Sequence, residues 1–489
     1  MAPSSRISKF NPMPVRILTP YVDGRWLPRR RRAAEPITAP FSGRVLARIV
    51  PADRRDLTTA VAGARRAQHE LAALSRHARA TILERTSRLL HTERTALARL
   101  VAVDAGKPLS LALGEVDRAG VVFRLAAEEA RRFGVTGYPA DADPRGGGLW
   151  ARVERFPIGV IAAISPFNFP LNLVAHKVAP AIASGNAVVL KSPPQAPLAS
   201  FRLAELLGRA GLPPGALQVL HLPVPLAERL ATDSAFAMLS FTGSARVGWH
   251  LKSIAGRKRV VLELGGNAAV LVHSDADDLE SLASRIAWGA FAYAGQVCIK
   301  VQRLYIHAPL YPRLLRLVVA ATRKLRAGDP LRAGTVIGPL IDTAAITRVQ
   351  GWIAEALAGG ATALLRGRRR GAVLGATILK GTRPGMKVWQ EEVFGPVLTV
   401  QPYRSWPEAI RLANTTEYGL QAGIFTHDTR RIEQAFREIE VGGVIVNDIP
   451  TLRLDHLPYG GVKASGFGRE GVTAAMKEMT EPRLLLGRP

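Results

Sequence analysis

The sequence predicts an α/β protein built from parallel sheets and crossover helices. Short apolar runs, typical of strands buried on both faces of a sheet, alternate with segments that have the three-to-four-residue apolar spacing of helices. This alternation occurs in two successive blocks, and the 489 residues exceed what a single hydrophobic core normally serves. We therefore expect two α/β units.

The first block combines helices with a parallel sheet. Helical spacing extends through residues 53–132, most clearly over 57–74 and 78–100, and a glycine-rich connector follows at 141–148. Strand-like runs then alternate with helical segments, which predicts a parallel sheet. The strand-like runs are 158–164, 187–190, 218–221 and 237–241, and the helical segments are 171–183 and 198–210.

The second block, about residues 265–465, repeats this alternation. Its predicted strands are 270–272, 303–306, 397–400, 423–425 and 443–446, and its predicted helices are 310–326, 342–358 and 429–438. Residues 482–487 predict a further strand at the edge of a sheet.

The composition bears on partners and location. The net charge of +27 is the main argument for a nucleic-acid-binding chain, but the basic residues are spread out and form no aromatic-interleaved stripe. We expect no specific nucleic-acid partner, only weak, salt-sensitive adhesion. No run approaches the roughly 18 apolar residues of a membrane span, and the proline-rich residues 1–20 lack a secretory core. We expect no membrane partner and a cytoplasmic location, with a mitochondrial targeting segment as the alternative.

Cys298 is the only cysteine in the chain, which excludes an intramolecular disulfide. A lone thiol is either a small core residue or a nucleophile. Gly295 and Gln296, just before it, favour a break in regular structure where a thiol can meet a ligand. The segments described next decide between the two interpretations, because they supply what a nucleophilic thiol needs.

Two polar residues are candidates to act with the thiol. Asn168 lies between Pro166 and Pro170, and it is either a rigid amide donor for an oxyanion or a turn residue that caps its own backbone. Glu263 lies in an apolar run, and it is either a half-buried base that activates water or a strand-edge residue facing solvent.

Two further segments favour a phosphate-bearing ligand. Gly243, Ser244 and Gly248 follow a strand-like run and open a helix, where backbone amides can approach a phosphate, although an ordinary turn has the same pattern. Lys191 directly follows a predicted strand, at the carboxyl edge where open α/β sheets bind ligands; a surface lysine is the alternative.

Taken together, the segments resemble the aldehyde dehydrogenase superfamily, and the resemblance extends from about residue 21 to the C-terminus. Seven segments occur in the family's order: 166–170, 186–191, 241–248, 263–266, 295–298, 392–396 and 458–470. The resemblance implies an aldehyde dehydrogenase-like fold with a Rossmann-like cofactor domain, an α/β catalytic domain and a small β bridging element. We assign residues 1–134 and 154–264, 265–476, and 135–153 with 477–489 to these three parts.

The same resemblance implies catalytic roles. Cys298 matches the nucleophile, Glu263 the general base, and Asn168 the side-chain donor that shares the oxyanion with the backbone N–H of Cys298. Lys177 occupies a lysine position common in the family near the active site. No metal site is expected.

The cofactor residues follow from the resemblance in the same way. Their expected contacts are the adenosine ribose for Lys191, the pyrophosphate for the turn at Gly243 and Ser244, the nicotinamide ribose for Glu392, and the nicotinamide itself for Phe394. Gly248 and Leu264 are further expected cofactor residues. Many NAD-preferring members have an acid three residues after the lysine, where this chain has Pro194. We therefore expect NAD or NADP, with NAD favoured because no arginine clamp for a 2′-phosphate is evident. Lys300, where small residues are common, either lowers the pKa of the thiol or points away.

The expected reaction is NAD(P)-dependent oxidation of a small aldehyde to its acid through a thioester. Leu173 and His176 are expected to line the substrate tunnel, and Arg453 and His456 to bind an anionic or hydroxylated tail, as in members acting on lactaldehyde, glyceraldehyde or succinate semialdehyde. Alternatively, Arg453 pairs with Asp455 or faces solvent. Acyl transfer to coenzyme A is the second enzymatic hypothesis, and nucleic-acid binding without catalysis is the third. Residues 150–155 and 483–487 resemble bridging strands, which predicts a homodimer or homotetramer.

Overall fold

The structure is a computed structural model that describes residues 16–489. The expectations for the proline-rich residues 1–20 concern residues that mostly lie outside this range. Within residues 16–489, no helix is both long and apolar enough to cross a membrane. Three sheets organise the described chain.

The first large sheet has eight strands and a parallel centre. Its central five strands run parallel, as predicted, and antiparallel strands close both edges. The spatial order is Gly466–Phe467, Arg259–Glu263, Met238–Thr242, Val160–Ile164, Ala187–Lys191, Leu217–Leu220, Tyr21–Val22 and Arg25–Trp26. Apolar clusters cover both faces of this sheet, which accounts for its continuous apolar strands.

The second large sheet has seven strands, of which all but one run parallel. The spatial order is Thr362–Leu365, Thr377–Lys380, Val397–Tyr403, Arg303–His307, Ala269–Val272, Gln421–Phe425 and Gly443–Val446. Two apolar clusters lie against its faces.

The third sheet is antiparallel and joins the C-terminus to the middle of the chain. Thr480–Gly487 pairs along its whole length with Trp150–Pro157, which also pairs with Val135–Tyr138. The predicted edge strand is thus present and longer than expected. Trp150–Pro157 continues past residue 153, and Gly466–Phe467 joins the first sheet. The domain boundaries remain a prediction.

Fifteen α-helices surround the sheets within the described range. They are Arg54–Ala73, Arg76–Thr92, Arg94–Ala105, Leu109–Arg132, Asn172–Ser184, Leu198–Ala210, Val224–Thr232, Ala245–Ile254, Leu279–Phe291, Tyr311–Arg323, Thr343–Ala358, Lys387–Gln390, Trp406–Asn414, Thr429–Glu438 and Val472–Glu478. Short strands make up the remaining sheets: Ile17–Leu18 with Val45–Ile49 and Glu35–Thr38, Arg326–Ala327 with Thr335–Ile337, Arg369–Arg370 with Val373–Leu374, and Tyr418–Gly419 with Val462–Lys463.

One predicted helix is divided in the structure. The helical spacing over 78–100 is interrupted at Glu93, whose backbone ends one helix and begins the next. The Glu93 carboxylate accepts hydrogen bonds from Arg202 and Arg209, which lie more than 100 residues further along the chain. Local periodicity contains no signal for hydrogen bonds between residues so far apart in the sequence.

Candidate active site

The thiol lies on a loop with an unusual backbone. The helix Leu279–Phe291 ends, and Tyr293, Ala294 and Gly295 then adopt successive left-handed conformations with φ of 55°, 54° and 69°. Such conformations are costly for residues with a Cβ and are found where surrounding structure enforces them, often at functional sites. The Tyr293 hydroxyl donates to the Ala105 carbonyl at 2.8 Å and holds the turn. The predicted break in regular structure before Cys298 is present, and the thiol is half-buried.

Asn168 is linked directly to this loop. Its Nδ2 donates to the backbone carbonyl of Gln296 at 3.1 Å, two residues before Cys298. The side chain is buried, so it does not cap its own turn. Because an amide nitrogen carries two hydrogens, one fixes the orientation of the group and the second is available to a reacting oxygen.

Tyr459 contacts the thiol itself. Its Oη lies 3.3 Å from the Cys298 Sγ, and its side chain is buried. The guanidinium of Arg453 stacks on the Tyr459 ring at 3.7 Å from the ring centroid. A cation and a phenol therefore lie beside the nucleophile.

Glu263 is a buried carboxyl without hydrogen-bond partners in the described chain. It ends the strand Arg259–Glu263, is only 3% exposed, and neither carboxyl oxygen has a partner. Burial, followed by repulsion from Glu470, raises its pKa well above the usual range, and Arg453 and Lys177 oppose that rise only in part. The strand-edge alternative facing solvent is therefore wrong.

Glu470 has the opposite electrostatic environment. It accepts hydrogen bonds from Lys177 Nζ at 2.9 Å and from Arg453 Nη2 at 3.4 Å. Burial opposes its ionisation, but the charges of Lys177 and Arg453 outweigh burial and lower its pKa to about 2. Two neighbouring carboxyls thus differ strongly in proton affinity, which is a common feature of acid–base sites.

Two glycines bring the reactive groups together. A Cβ at Gly266 would lie 2.4 Å from the Cys298 carbonyl oxygen, and one at Gly265 would lie 2.3 Å from the Glu392 carboxylate. At Gly266 the close approach of two backbones requires glycine, whereas at Gly265 the nearest atoms belong to the flexible Glu392 side chain. Glu263, Cys298 and Glu392 therefore converge on one short turn.

Glu392 is held on that turn, and Lys300 lies near it. Glu392 accepts from the Gly266 N–H at 3.0 Å, and burial raises its pKa to about 7 against the effects of Gly266, Arg348 and Lys300. Lys300 Nζ donates to the Val397 carbonyl at 2.6 Å, and burial lowers its pKa to about 7. Of the two alternatives for Lys300, the structure favours a side chain that points away from the thiol. Phe394, with φ of 43°, packs edge-on against Phe167.

The candidate cofactor residues lie at the carboxyl edge of the first sheet. Lys191 is the last residue of its strand, is buried, and forms no ion pair with any residue in 16–489. Burial lowers its pKa to about 8. Ser244 precedes the helix Ala245–Ile254 and makes no side-chain capping bond, so the helix N-terminus is open to an anion. These groups fit a nucleotide phosphate or ribose.

The other three cofactor candidates, Gly243, Gly248 and Leu264, lie around the same turn. A Cβ at Gly248 would lie 2.4 Å from Leu264 Cδ2, so this glycine lets the helix approach the sheet closely. Gly243 donates its backbone N–H to the Glu263 carbonyl at 3.1 Å. The turn that is open to an anion therefore adjoins the strand that carries Glu263.

The candidate substrate residues divide into buried and exposed sets. His176 is buried in the helix Asn172–Ser184 with Leu173, and its Nε2 lies 2.9 Å from Asp455, which Arg118 also binds. The Arg453 side chain is only 7% exposed, and it forms ion pairs with Asp455 at 3.8 Å and Glu470 at 3.4 Å, so the alternative that Arg453 pairs with Asp455 is confirmed. Arg453 therefore does not face solvent. His456 is exposed and, within the described chain, makes no hydrogen bond to this cluster.

Several residues near the site were not identified from the sequence. They are Tyr459, Glu470, Lys107 and Glu115. Tyr459 and Glu470 belong to the recognised segment 458–470, but no local pattern shows that the first reaches Cys298 or that the second binds Lys177. Acidic Glu115 within an apolar helical face was an available signal, since buried charges need partners.

Comparison with known proteins agrees with this geometry. The profile of the aldehyde dehydrogenase family matches residues 26–485. A 3-sulfolactaldehyde dehydrogenase from Priestia aryabhattai is 42% identical over 467 residues, covering 95% of this chain and 97% of that protein. The crystal structure of aldehyde dehydrogenase 21 from Physcomitrella patens with the product succinate matches with a TM-score of 0.95 and 39% identity over 97% of this chain and 99% of that one.

A second solved structure extends the comparison to the cofactor. The NADP-dependent glyceraldehyde-3-phosphate dehydrogenase from Bacillus halodurans C-125, complexed with NADP, matches with a TM-score of 0.93 and 35% identity, covering 96% of this chain and 99% of that one. The comparisons confirm both the resemblance inferred from the seven ordered segments and the predicted fold class.

Proposed function

Because the chain belongs to the aldehyde dehydrogenase family and is an NAD(P)-dependent aldehyde dehydrogenase, we propose that it oxidises a small aldehyde carrying an acidic or hydroxyl group. The observation that carries this proposal is the buried Arg453 guanidinium, stacked on the ring whose hydroxyl contacts the Cys298 Sγ. A cation so close to the nucleophile suits a substrate whose anionic group lies a few bonds from its carbonyl.

Two relatives agree with a substrate of this kind. One is named for an aldehyde that bears a sulfonate, and the other holds the dicarboxylate succinate. A carboxylate presents two oxygen acceptors and a sulfonate three, and a guanidinium can donate two hydrogen bonds at once to either group. We propose that Arg453 serves such a group here, with Leu173 and His176 shaping the tunnel.

In the first step, the Cys298 Sγ attacks the aldehyde carbon. A C–S bond forms, and the carbonyl π electrons move to oxygen. Asn168 Nδ2 and the backbone N–H of Cys298 donate to this oxyanion, and one such donor contributes about 3–4 kcal/mol to transition-state stabilisation. The hydrogen bond from Asn168 to the Gln296 carbonyl supports this role, because it orients the donor before substrate arrives.

The second half of the reaction is hydrolysis. Loss of a hydride from the substrate carbon, for which a bound nicotinamide would be the acceptor, leaves a thioester on Cys298. Glu263 then removes a proton from water, the water oxygen attacks the thioester carbon, and the thiolate departs with its electron pair. The carboxylic acid is released, and one water is consumed for each aldehyde oxidised. Lys177 would hold Glu470 and so maintain the charge balance around Glu263.

For the cofactor, we propose that the chain accepts NAD or NADP. Lys191 and the open N-terminus at Ser244 would bind the adenosine ribose and the pyrophosphate, and Glu392 with Phe394 would bind the nicotinamide riboside. Lys191 has no carboxylate partner among residues 16–489 and Pro194 carries no charge, which supports tolerance of a 2′-phosphate.

The test is a panel of aldehydes assayed with both cofactors on the wild type and on Arg453→Ala. We expect the substitution to lower kcat/KM about 10- to 100-fold for anionic aldehydes, the factor corresponding to one charge-assisted hydrogen bond. Neutral aldehydes of equal length are the matched control, because they report any general damage to Glu263 or Glu470. An equal loss for neutral and anionic aldehydes would contradict the proposal.

A further inference from the structure

We propose that Tyr459 is a catalytic residue whose hydroxyl donates a hydrogen bond to the Cys298 Sγ and stabilises its thiolate form. The proposal rests on the proposed function, since it assumes that Cys298 is the nucleophile. Its basis is the 3.3 Å contact between the Tyr459 Oη and the Sγ. No other hydrogen-bond partner of this hydroxyl occurs among residues 16–489.

The Tyr459 ring is held rigidly in this position. The Tyr459 N–H donates to the Glu470 carbonyl at 2.9 Å, and its own carbonyl accepts from the Glu470 N–H at 2.7 Å. The Glu470 carboxylate binds Lys177 and Arg453, and Arg453 covers the ring. Backbone and side chain are therefore fixed by one buried network, so the hydroxyl does not have to be ordered at each turnover.

The electrostatics define which atom donates. Burial raises the pKa of Cys298 to about 11, and the negative charges of Glu392 and Glu263 add to this rise. The hydrogen bond from Tyr459 and the positive charge of Arg453 oppose it. Burial also raises the pKa of Tyr459 well above its usual range, so the phenol keeps its proton. A protonated phenol beside a thiolate has only one direction in which to donate.

The same contact serves both ends of the reaction. Before attack, the O–H···S⁻ bond increases the fraction of thiolate. During hydrolysis, the C–S bond breaks and its electron pair returns to sulfur, where the same O–H group stabilises the departing thiolate. The Tyr459 proton stays on its oxygen in both steps, so no additional acid or base is needed.

The single cysteine makes the proposal directly testable. Because Cys298 is the only cysteine, the rate of thiol alkylation by iodoacetamide measures the reactivity of Cys298 alone, and the assay needs no aldehyde. Loss of a hydrogen bond to a charged group corresponds to about one to two pKa units, so we expect Tyr459→Phe to raise the pKa of the thiol by that amount. Since a thiolate of higher pKa is also more nucleophilic, alkylation near neutral pH slows by about 3- to 10-fold.

The matched control is Tyr403→Phe, which removes another buried hydroxyl that donates to a carbonyl, that of Val272 at 3.2 Å. We expect its alkylation rate between about pH 6 and pH 10 to equal that of the wild type. An unchanged profile in Tyr459→Phe, with an unchanged melting temperature, would overturn the proposal. Absence of aldehyde oxidation in the wild type would instead overturn the proposed function and leave the alkylation result readable.

Discussion

At the scale of single residues, the site depends on two buried carboxyls in unlike surroundings. Glu470 accepts hydrogen bonds from Lys177 and Arg453, whereas Glu263 accepts none from residues 16–489. The pKa of Glu470 is therefore low and that of Glu263 high. The network thus concentrates cationic charge on one carboxyl and leaves the other able to accept a proton.

Glu263 should give thioester hydrolysis a rising pH dependence. Only the carboxylate can take a proton from water, and since burial raises its pKa, the carboxylate fraction increases as pH rises through that raised value. We expect the single-turnover rate of acid release, measured by rapid quench, to rise with pH in the wild type. Glu263→Gln should lower this rate by about 10²–10⁴-fold and flatten its profile.

Glu470→Gln is the companion variant for that measurement. It removes the repulsion that helps raise the pKa of Glu263, so the rise in hydrolysis should move to lower pH. A hydrolysis rate that falls with pH, or a Glu263→Gln enzyme that releases acid normally, would remove Glu263 from the role of base.

Residues of the site differ in how far the sequence could predict them. Asn168, Glu263 and Cys298 lie in short ordered motifs, and the structure brings all three near one loop. The contact of Tyr459 with Cys298 joins positions 161 residues apart, and no local pattern encodes such a distance. His456 was selected for its position in the loop 451–456 just before the segment 458–470, and position in the sequence does not show where a side chain points; in the structure it is exposed.

At the scale of elements, a buried ion pair supports the loop that carries Asn168. Glu115, in the helix Leu109–Arg132, accepts from the backbone N–H groups of Leu171 and Asn172 at 2.9 and 3.1 Å. It thereby caps the helix Asn172–Ser184 from a distance. Its other oxygen binds Lys107 Nζ, which lies 3.4 Å from the Phe169 ring centroid.

Removing one member of this pair should be costly. Glu115→Ala leaves a buried ammonium unpaired and two helix amides without an acceptor, so we expect a loss of about 3–5 kcal/mol in the free energy of unfolding. Urea denaturation and the thermal midpoint measure it. The double variant Lys107→Met with Glu115→Gln keeps an acceptor for the amides and removes the charge, and it should recover much of the loss. Equal stability of the single and double variants would contradict this account.

The predicted elements agree best with the structure where burial is uniform. Strands such as Ala187–Lys191 and Ala269–Val272, buried at every position, begin and end within a residue of their predicted bounds, because apolar runs flanked by turn residues leave few alternatives. The helix break at Glu93 was missed, since arginines from a distant helix stabilise it. Tertiary contacts override local spacing at such points.

At the scale of the whole molecule, the site uses both large sheets and the C-terminal segment. Glu263 ends a strand of the first sheet, Cys298 precedes the strand Arg303–His307 of the second, and Glu470 follows both in the chain. Many of the arginines behind the +27 charge form ion pairs, for instance Arg118 with Asp455 and Arg285 with Asp448. Part of the arginine content therefore serves ion pairs within the chain, and the rest contributes to the positive surface.

The third sheet leaves apolar side chains exposed on the surface. Leu484 is 64% exposed, Leu486 is 52% exposed, and Trp150 and Tyr138 on the paired strands are also exposed. A group of exposed apolar side chains of this kind is typical of a protein interface. We therefore keep the prediction of a homodimer or homotetramer and assign the contact to Thr480–Gly487 and its neighbours.

Replacing Leu484 and Leu486 by Asp tests this interface. Residues two apart on a strand share a face, so the double variant puts two charges on one side of the sheet. We expect the wild type to sediment as a dimer or tetramer at micromolar concentration and the variant as a monomer. Phe436→Asp is the matched control, because Phe436 is 69% exposed on the helix Thr429–Glu438 and should leave assembly intact. A monomeric wild type, or dissociation of the control to the same degree, would refute an interface at the C-terminal strand.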